Sequence, residues 1–430
     1  VTVTAFSEAG QRLFLPLIAN AAAAAGPAAP IDAQVADELA ARGRTNVFIE
    51  LPGDPTLGLE AAGARREAQH VADTLRDHAE RSQASLRRFL DSQGVRYESF
   101  WINNSLYIYA ADLPLVQALA RRADVARVRA DRPVPRLLPV AEETGPPAPA
   151  AVEWGVQKIN ADDVWAAGVT GQGVVVANID TGVRYTHQAL VRQYRGDNGD
   201  GTFSHDYNWW DPTRAFTVPT DLGGHGTHTM GTIVGGDGPG PGADDVGVAP
   251  GAQWIAARGC GLILCTEYAL ISAAQWVACP TRVDGAAPDC SRAPDIVNNS
   301  WGADGGDPFY RAVVRAWLAA GIAPVFSVGN SGPACRTATS PGDYRYVVGV
   351  GATDAADTLA RFSSRGPGAY RWLKPDVVAP GVNIRSAFNL ADDAYLALSG
   401  TSMAAPHVAG VLALMLSAHP PASLADLYAG

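Results

Sequence analysis

Short, largely apolar runs recur through the carboxyl-terminal part of the chain, and glycine-rich turns and helical segments follow them. The runs are residues 174–179, 254–257, 295–298, 324–328 and 346–350. They lack the alternation of a strand with one solvated face, which is typical of strands covered on both faces. The pattern predicts an α/β fold with a doubly wound parallel sheet between two helix layers. Functional residues in such sheets gather at the carboxyl ends of the strands.

The amino-terminal part of the chain has a different pattern, with alternating apolar residues and one long amphipathic segment. The predicted elements are a strand over 46–51, a helix over 60–92, a hairpin over 96–110 that turns at Asn103 and Asn104, a helix over 113–122 and a strand over 125–130. The order β-α-β-β-α-β predicts a small α+β, ferredoxin-like domain.

Proline-rich segments mark the domain boundaries. Residues 133–135 and 145–149 cannot be helical, since each proline restrains its own backbone and that of its predecessor. We therefore divide the chain into a tail (1–45), the ferredoxin-like domain (46–132), a linker (133–151) and the α/β domain (152–430).

The tail contains the longest apolar stretch of the sequence, residues 13–25. Pro16 and Asn20 interrupt it, so it falls short of the roughly 18 apolar residues that a membrane span needs. We expect no membrane span. The tail fits the remnant of a signal peptide and a flexible apolar segment equally well.

Composition and charge narrow the range of functions. The 430 residues are 47% hydrophobic and 18% charged, which is enough to build a sizeable folded core. The formal net charge is −10, and residues 151–430 carry −8 of it. An acidic main domain argues against nucleic acid as the partner, because phosphate backbones attract basic surfaces.

The five cysteines are few for this length, but two pairs of them bracket short loops. Cys260 and Cys265 form one pair, Cys279 and Cys290 form the other, and Cys335 stands apart. None of the spacings matches a zinc site. Two disulfides and one remaining thiol fit an exported protein, since such bonds persist in oxidising compartments. Buried free thiols are the alternative.

Three short segments place reactive side chains at predicted strand ends and helix starts. Asp180 directly follows the run 174–179, His225 opens a helix of small residues, and Ser402 opens another helix. A serine hydroxyl becomes a nucleophile when a histidine takes its proton, and a buried carboxylate can orient that histidine. Each segment alone is weak evidence, because a serine at a helix start is usually a cap. Together, in the order Asp, His, Ser, they predict a catalytic triad.

These segments resemble the subtilisin-like serine peptidases, or subtilases. The matching residues are Asp180-Thr181-Gly182, His225-Gly226-Thr227-His228 and Gly400-Thr401-Ser402-Met403-Ala404-Ala405-Pro406-His407. The resemblance spans about residues 154–427. It is closest to the bacillopeptidase F branch through Asn298-Asn299-Ser300-Trp301-Gly302 and Trp209-Trp210-Asp211.

The resemblance implies a serine endopeptidase that hydrolyses extended polypeptides. Asp180, His225 and Ser402 would form its triad, and Asn330, in a Gly-Asn pair after an apolar run, would donate to the oxyanion. Without the triad segments, a turn asparagine is the plainer interpretation of Asn330.

The resemblance also implies the residues that bind the substrate. Ser300, Trp301 and Gly302, together with Gly329, would lie beside an extended peptide and form main-chain hydrogen bonds with it. Trp301 would form part of the hydrophobic wall of the pocket, and a core tryptophan is the alternative. A disulfide in the loop 260–265 would stiffen the other rim of the cleft.

By the same resemblance, the domain 46–132 is an inhibitor-type propeptide that acts as an intramolecular chaperone. Its carboxyl tail, residues 128–139, would lie in the substrate cleft, and maturation would cleave within residues 131–152. The implied protein is a secreted, self-processing zymogen that is monomeric. A chain end soon after an apparent helix start near residue 423 suggests truncation of a longer protein.

The resemblance implies no catalytic cofactor and leaves a structural calcium ion open. Ala189 stands where many subtilases have a calcium-binding aspartate. The acidic segment 197–201 lacks the spacing of an EF-hand loop and is better interpreted as a solvated turn. The loop 236–245 is ambiguous. We assign no metal ligand.

Two other classes of function are weighed against this one. A catalytically silent subtilase that serves as a binding module would lack a triad residue, and none is missing. A nucleotide-binding α/β enzyme would carry its glycines after the first strand, whereas those of residues 168–173 precede the strand.

Overall fold

The computed structural model describes residues 28–56, 58–59, 68–135, 137, 139–140, 152–236, 245–262, 264–369, 371–420 and 422–429, together with 5–6 and 12–13. Its strands are β1 (Ala5–Phe6), β2 (Arg12–Leu13), β3 (Arg44–Glu50), β4 (Tyr97–Phe100), β5 (Ser105–Asp112), β6 (Arg127–Ala130), β7 (Pro133–Pro135), β8 (Val175–Asp180), β9 (Trp209–Trp210), β10 (Gln253–Arg258), β11 (Leu264–Thr266), β12 (Ile296–Asn299), β13 (Ala323–Ser327), β14 (Val348–Thr353), β15 (Val377–Pro380), β16 (Ile384–Ala387) and β17 (Tyr395–Leu398).

The helices are α1 (Ala33–Arg42), α2 (Ala68–Ser92), α3 (Leu113–Ala120), α4 (Trp154–Lys158), α5 (Ala161–Ala166), α6 (His225–Val234), α7 (Glu267–Ala278), α8 (Arg311–Ala319), α9 (Thr401–Ala418) and α10 (Leu424–Ala429).

The α/β domain is built on a seven-stranded parallel sheet in the order β15-β14-β13-β12-β8-β10-β9. All five runs picked out in the sequence contribute strands to it, as β8, β10, β12, β13 and β14. The sequence pattern missed the outer strands, because β9 has two residues and β15 begins with two exposed valines. The predicted doubly wound α/β fold is confirmed.

Neighbouring residues of the central strands face different helix layers. On β8, Val176 packs in the cluster that contains α6 and α9, whereas Ala177 packs in the cluster that contains α7 and α8. Burial on both faces explains why these strands show no polar alternation. Helix α9 is long and apolar enough to cross a membrane by length and composition, and 78% of it is buried. That burial identifies α9 as the central helix of this domain.

The amino-terminal unit has a four-stranded antiparallel sheet in the order β4-β5-β3-β6. Its elements follow one another as β3, α2, β4, β5, α3 and β6, which is the order that the sequence pattern predicts. Residues 60–67, part of the predicted long helix, lie outside the described residues.

Helix α1 corrects the division of the chain at residue 45. Its side chains Val35 and Leu39 are buried in the same cluster as residues of β3 and β6. The amino-terminal unit therefore includes a helix that the sequence analysis assigned to the tail. A short amphipathic helix next to an alanine- and proline-rich segment gave too weak a pattern to be separated from it.

Two disulfides join Cys260 to Cys265 and Cys279 to Cys290, as the spacing suggested. Cys335 is exposed and is not part of a disulfide. The first disulfide lies at β11, and the second connects the end of α7 to the segment that leads into β12.

Candidate active site

The end of β8 and the start of α6 bring Asp180 and His225 together. The His225 Nδ1 lies 2.8 Å and 2.9 Å from the two carboxylate oxygens of Asp180. Both side chains are 2% exposed. Because an ionised carboxylate can only accept hydrogen bonds, Nδ1 carries the proton and donates a hydrogen bond to Asp180. This contact fixes the imidazole with its Nε2 as the acceptor.

Two glycines allow the strand end and the helix start to approach so closely. A Cβ on Gly226 would lie 2.1 Å from the carbonyl oxygen of Gly182. Gly182 itself has φ +109°, and a Cβ there would lie 2.0 Å from the carbonyl oxygen of Thr220. Side chains at these two positions would push Asp180 and His225 apart.

Asp221 holds the turn that leads into α6, and sequence reasoning missed this residue. Its carboxylate accepts the backbone N–H of Gly223, Gly224 and Thr227 at 2.8–2.9 Å, and the hydroxyls of Thr181 and Thr227. An aspartate just before a glycine pair and a helix is a common turn and cap signal. That signal could have identified it.

Ser402 lies in the first turn of α9, which packs against α6. Its hydroxyl donates to the carbonyl oxygen of Ser300 at 3.2 Å. The buried His225 Nε2 has no hydrogen-bond partner among the described residues. The structure therefore brings Asp180 and His225 together. The Ser402–His225 hydrogen bond is not formed, because the hydroxyl is engaged with Ser300.

A chain of buried polar side chains connects the starts of α6 and α9 across the sheet. The amide nitrogen of Asn178 on β8 donates to the hydroxyl of Thr229 at 2.9 Å, and its oxygen accepts from the amide of Asn298 on β12 at 2.9 Å. The Asn298 amide also donates to the Ser300 hydroxyl, which donates to the carbonyl oxygen of Ser402 at 3.0 Å. Sequence reasoning missed Asn178 and assigned no role to Asn298.

Asn330 lies next to the residues that precede Ser402. Its side-chain oxygen accepts from the backbone N–H of Thr401 at 2.9 Å and from the Thr401 hydroxyl at 2.8 Å. The amide nitrogen lies on the Gly400 side, 3.2 Å from where a Cβ of Gly400 would be. Gly329 has φ +105°, and a Cβ there would lie 2.7 Å from Thr339 Cγ2. A larger residue at position 329 would displace Asn330.

The segment 300–302 leads from β12 past Ser402, but its tryptophan differs from the expectation of a pocket wall. The Trp301 indole is fully buried and packs at 5.0 Å from the Tyr310 ring and 5.5 Å from the Phe326 ring. Trp301 is therefore a core residue, which corrects its assignment to the pocket wall. At Gly302, a Cβ would lie 2.5 Å from Thr339 Oγ1, so this backbone also approaches the segment after Asn330.

The linker crosses the domain beside these residues. Strand β7 pairs antiparallel with β11, with Val134 opposite Cys265. Further on, the Val140 N–H donates to the carbonyl oxygen of Ser399 at 2.7 Å, three residues before Ser402. The linker thus contacts the domain on the disulfide-bonded β11 and on the strand that leads into Ser402. Residues 141–151 lie outside the described residues.

The other histidines near the site are held by backbone carbonyls. His228 Nε2 lies 2.9 Å from the carbonyl oxygen of Ile384, and His407 Nδ1 lies 2.8 Å from that of Met403. Burial lowers the pKa of His228 to about 3 and that of His407 to about 4. Both are therefore neutral near pH 7, which fits structural roles.

The residues considered for a structural calcium ion in the sequence have other surroundings in the structure. No group of three or more His, Cys, Asp or Glu side chains among them could hold a metal. Ala189 is fully buried and offers no side-chain oxygen. In the segment 197–201, Asp197 and Asp200 accept backbone N–H groups of their own turn at 2.9 Å. Residues 237–244 of the ambiguous loop lie outside the described part.

A buried Asp–His pair at a parallel strand end, beside a serine in the first turn of a helix, is the arrangement of a serine hydrolase. Comparison with known proteins specifies the family, because the model of the subtilase family matches residues 171–429. The chain belongs to the subtilase family, as the resemblance in the sequence implied.

Matches to individual proteins indicate the same family. The chain is 42% identical to bacillopeptidase F of Bacillus subtilis (strain 168) over 287 residues, which are 64% of this chain and 20% of that protein. It is 35% identical to serine protease AprX of the same strain over 286 residues, 59% of each chain. It is 33% identical to subtilisin DY of Bacillus licheniformis over 285 residues, 64% of this chain and 88% of that one. The chain thus spans one fifth of bacillopeptidase F and about three fifths of AprX.

The buried histidines predict a pH dependence of stability. The unfolded chain protonates His407 near pH 6.5, whereas the folded chain does so near pH 4. Between these values the unfolded state binds more protons, so the free energy of unfolding decreases as the pH falls, by about 1.4 kcal/mol per pH unit for this histidine. We expect His407→Asn to unfold with a shallower pH dependence than the parent chain in urea titrations from pH 7 to 4. The exposed His70→Asn is the control, and equal slopes for parent and His407→Asn would contradict the interpretation.

Proposed function

We propose that the chain is a serine endopeptidase that hydrolyses extended polypeptides and is made as a secreted, self-processing zymogen. The observation that carries this proposal is the hydrogen bond between buried Asp180 and His225, which leaves Nε2 without a partner among the described residues, on a helix that packs against the helix of Ser402. A buried imidazole with one nitrogen held by a carboxylate and the other vacant is poised to accept a proton.

In the proposed reaction, the Ser402 hydroxyl leaves the Ser300 carbonyl and passes its proton to His225 Nε2 as the oxygen attacks the scissile carbonyl. Asp180 holds the imidazole and stabilises the imidazolium that forms. His225 then protonates the leaving amine, and water, activated by the same nitrogen, releases the acyl group. The start of α9 also favours the negative charge that develops beside Ser402.

Asn330 is the proposed side-chain donor to the oxyanion, together with the Ser402 backbone N–H. Thr401 holds the amide oxygen of Asn330, and the amide nitrogen lies on the side of Gly400, two residues before Ser402. The backbone of residues 300–302 and Gly329 would pair with the extended substrate, as a strand added to an edge.

The amino-terminal unit is the proposed internal inhibitor, and its contacts with the α/β domain support this role. Arg129 and Arg132 both pair with Glu267, which is 1% exposed at the start of α7. Asp131 accepts the Tyr268 N–H at 3.1 Å and the Tyr107 hydroxyl at 2.8 Å. Burial raises the pKa of Tyr107 and Tyr268, which therefore stay neutral.

The path of the linker supports self-processing. It pairs with β11 through β7 and bonds to Ser399 through Val140, so it follows the domain up to the residues around Ser402. A segment held in this way lies against the residues that lead into the proposed nucleophile. The two disulfides support an exported protein. We expect a monomer, with polypeptides as substrates.

Covalent labelling tests the nucleophile directly. A fluorophosphonate probe should modify Ser402 in the processed protein, because the hydroxyl is activated by His225. Ser402→Ala should lose both the label and the hydrolysis of casein. The control variant Ser331→Ala, which changes the exposed serine next to Asn330, should keep both. Peptide mapping identifies the labelled residue. A label on another serine, or full casein hydrolysis by Ser402→Ala, would refute the assignment.

Asn330→Ala should lower kcat by about 10²–10³, the range found when subtilisin loses its oxyanion donor, with little change in KM. The second variant, Asn330→Asp, keeps an oxygen acceptor for Thr401 but has no amide donor. Steady-state kinetics on a peptide substrate should show a loss of kcat in both variants. A normal kcat in Asn330→Asp would show that Asn330 acts only by holding Thr401, and it would contradict the role of Asn330 as a donor to the oxyanion.

The zymogen proposal predicts a specific cleavage. The parent chain should yield two fragments whose junction lies within residues 131–152, because the described part of the linker bonds to Ser399, three residues before Ser402. Ser402→Ala should remain a single chain under the same conditions. Intact mass and amino-terminal sequencing measure the junction. A junction outside this range, or processing of purified Ser402→Ala, would count against self-cleavage.

A further inference from the structure

A groove of about 390 Å³ on the α/β domain lies away from the proposed triad and has no role in the function above. Helix α8 forms one side of it, and the segment 344–346 with the turn at Trp372 forms the other. The ionisable and aromatic side chains that line it are Arg311, Arg315, Arg345, Tyr344, Tyr346 and Trp372. No carboxylate is among the described residues that line it.

The charge of this groove is opposite to that of its domain. Residues 151–430 carry a net charge of −8, yet three arginines converge here. Like charges repel, so a cluster of this kind requires a compensating anion or a supporting environment. An anionic partner would be attracted to this place on a domain that repels it elsewhere.

Aromatic rings lie against two of the guanidinium groups, those of Arg345 and Arg311. The Arg345 guanidinium lies 4.4 Å from the centroid of the Trp372 ring and 5.5 Å from that of Tyr346. Arg311 lies 5.7 Å from the ring of Tyr344. A guanidinium stacked on a ring keeps its planar edge for bidentate contact with a carboxylate. Arg345 and Tyr346 are exposed, and Arg345 forms no ion pair within the described residues.

One carboxylate of the chain itself already reaches the groove. Asp54 of the amino-terminal unit pairs with Arg315, whose side chain is 37% exposed. Asp54 also accepts the Thr56 N–H at 2.9 Å, which fixes the turn that presents it. In the intact chain, a carboxylate of the polypeptide itself therefore binds at the edge of the groove. Release of the amino-terminal unit would remove this carboxylate from Arg315.

We propose that this groove binds an acidic segment of a polypeptide substrate outside the catalytic cleft, a role that rests on the proposed endopeptidase function. Carboxylates of the segment pair with Arg315 and Arg345, and its apolar side chains contact Tyr346 and Trp372. Asp54 competes for Arg315 until the amino-terminal unit is released. We assign a polypeptide as the ligand because the carboxylate that pairs with Arg315 in the intact chain, that of Asp54, belongs to a polypeptide.

Binding is tested on the full chain with Ser402→Ala, so that no hydrolysis occurs. The probe is a fluorescein-labelled oligoglutamate peptide, measured by fluorescence anisotropy at low and high salt, with an oligoglutamine peptide as the neutral control. Adding Arg345→Ala or Arg345→Glu should weaken oligoglutamate binding by about 1.5- to five-fold, the range for an exposed ion pair. Adding Asp54→Asn should strengthen it. Arg282→Ala, an exposed arginine outside the groove, should change nothing.

Several results would overturn the proposal. They are equal binding of the two peptides, unchanged binding in both Arg345 variants, or no gain with Asp54→Asn. Heparin binding that depends on Arg345 while oligoglutamate does not bind would assign the groove to an anionic polysaccharide instead. Unchanged unfolding temperatures verify that the variants are folded.

A kinetic experiment then links the groove to hydrolysis. In the active protein, Arg345→Glu should lower kcat/KM for a peptide with an acidic tail and leave the same peptide with a glutamine tail unchanged. Equal losses for both tails would refute a separate binding groove. The binding test needs no catalysis, so failure of the endopeptidase function would appear in the labelling of Ser402 and not in the anisotropy.

Discussion

The site depends on one buried contact, the hydrogen bond between Asp180 and His225. A carboxylate with 2% exposure is costly unless its oxygens are paired, and here the imidazole and the Thr181 N–H at 2.7 Å pair with it. The contact exists because the carboxyl end of β8 meets the first residue of α6. Gly182 and Gly226 have no side chains, and this allows the strand end and the helix start to approach each other so closely.

The sheet and the polar chain inside it extend this constraint to Ser402. The central strands are apolar on both faces, yet Asn178 and Asn298 interrupt them with amides that bond to each other. The Asn178 amide also bonds to Thr229 of α6, and the Asn298 amide reaches Ser402 of α9 through the Ser300 hydroxyl. Buried hydrogen bonds between these side chains constrain the relative positions of the elements that they connect. Here they fix the position of α6, which carries the base His225, relative to α9, which carries the nucleophile Ser402.

Much of this was predictable from the sequence, for identifiable reasons. Strands such as β8 and β13 lack alternation because helices cover both faces, and the triad residues lie where strands end and helices begin. Trp301 could not be assigned from sequence, since a tryptophan beside a substrate segment fits a pocket or a core, and only packing against Tyr310 and Phe326 decides. The cationic groove joins residues from α8, 344–346 and Trp372, which no local pattern connects.

The central claim is that Asp180 fixes the imidazole of His225 with its proton on Nδ1. Nitrogen-15 NMR of histidine-labelled chain, with His225 assigned by substitution, measures this directly. Neutral His225 is expected to carry its proton on Nδ1, and Asp180→Asn should remove this preference while Ser402→Ala retains it. A neutral His225 that carries its proton on Nε2 in the parent chain would contradict the account.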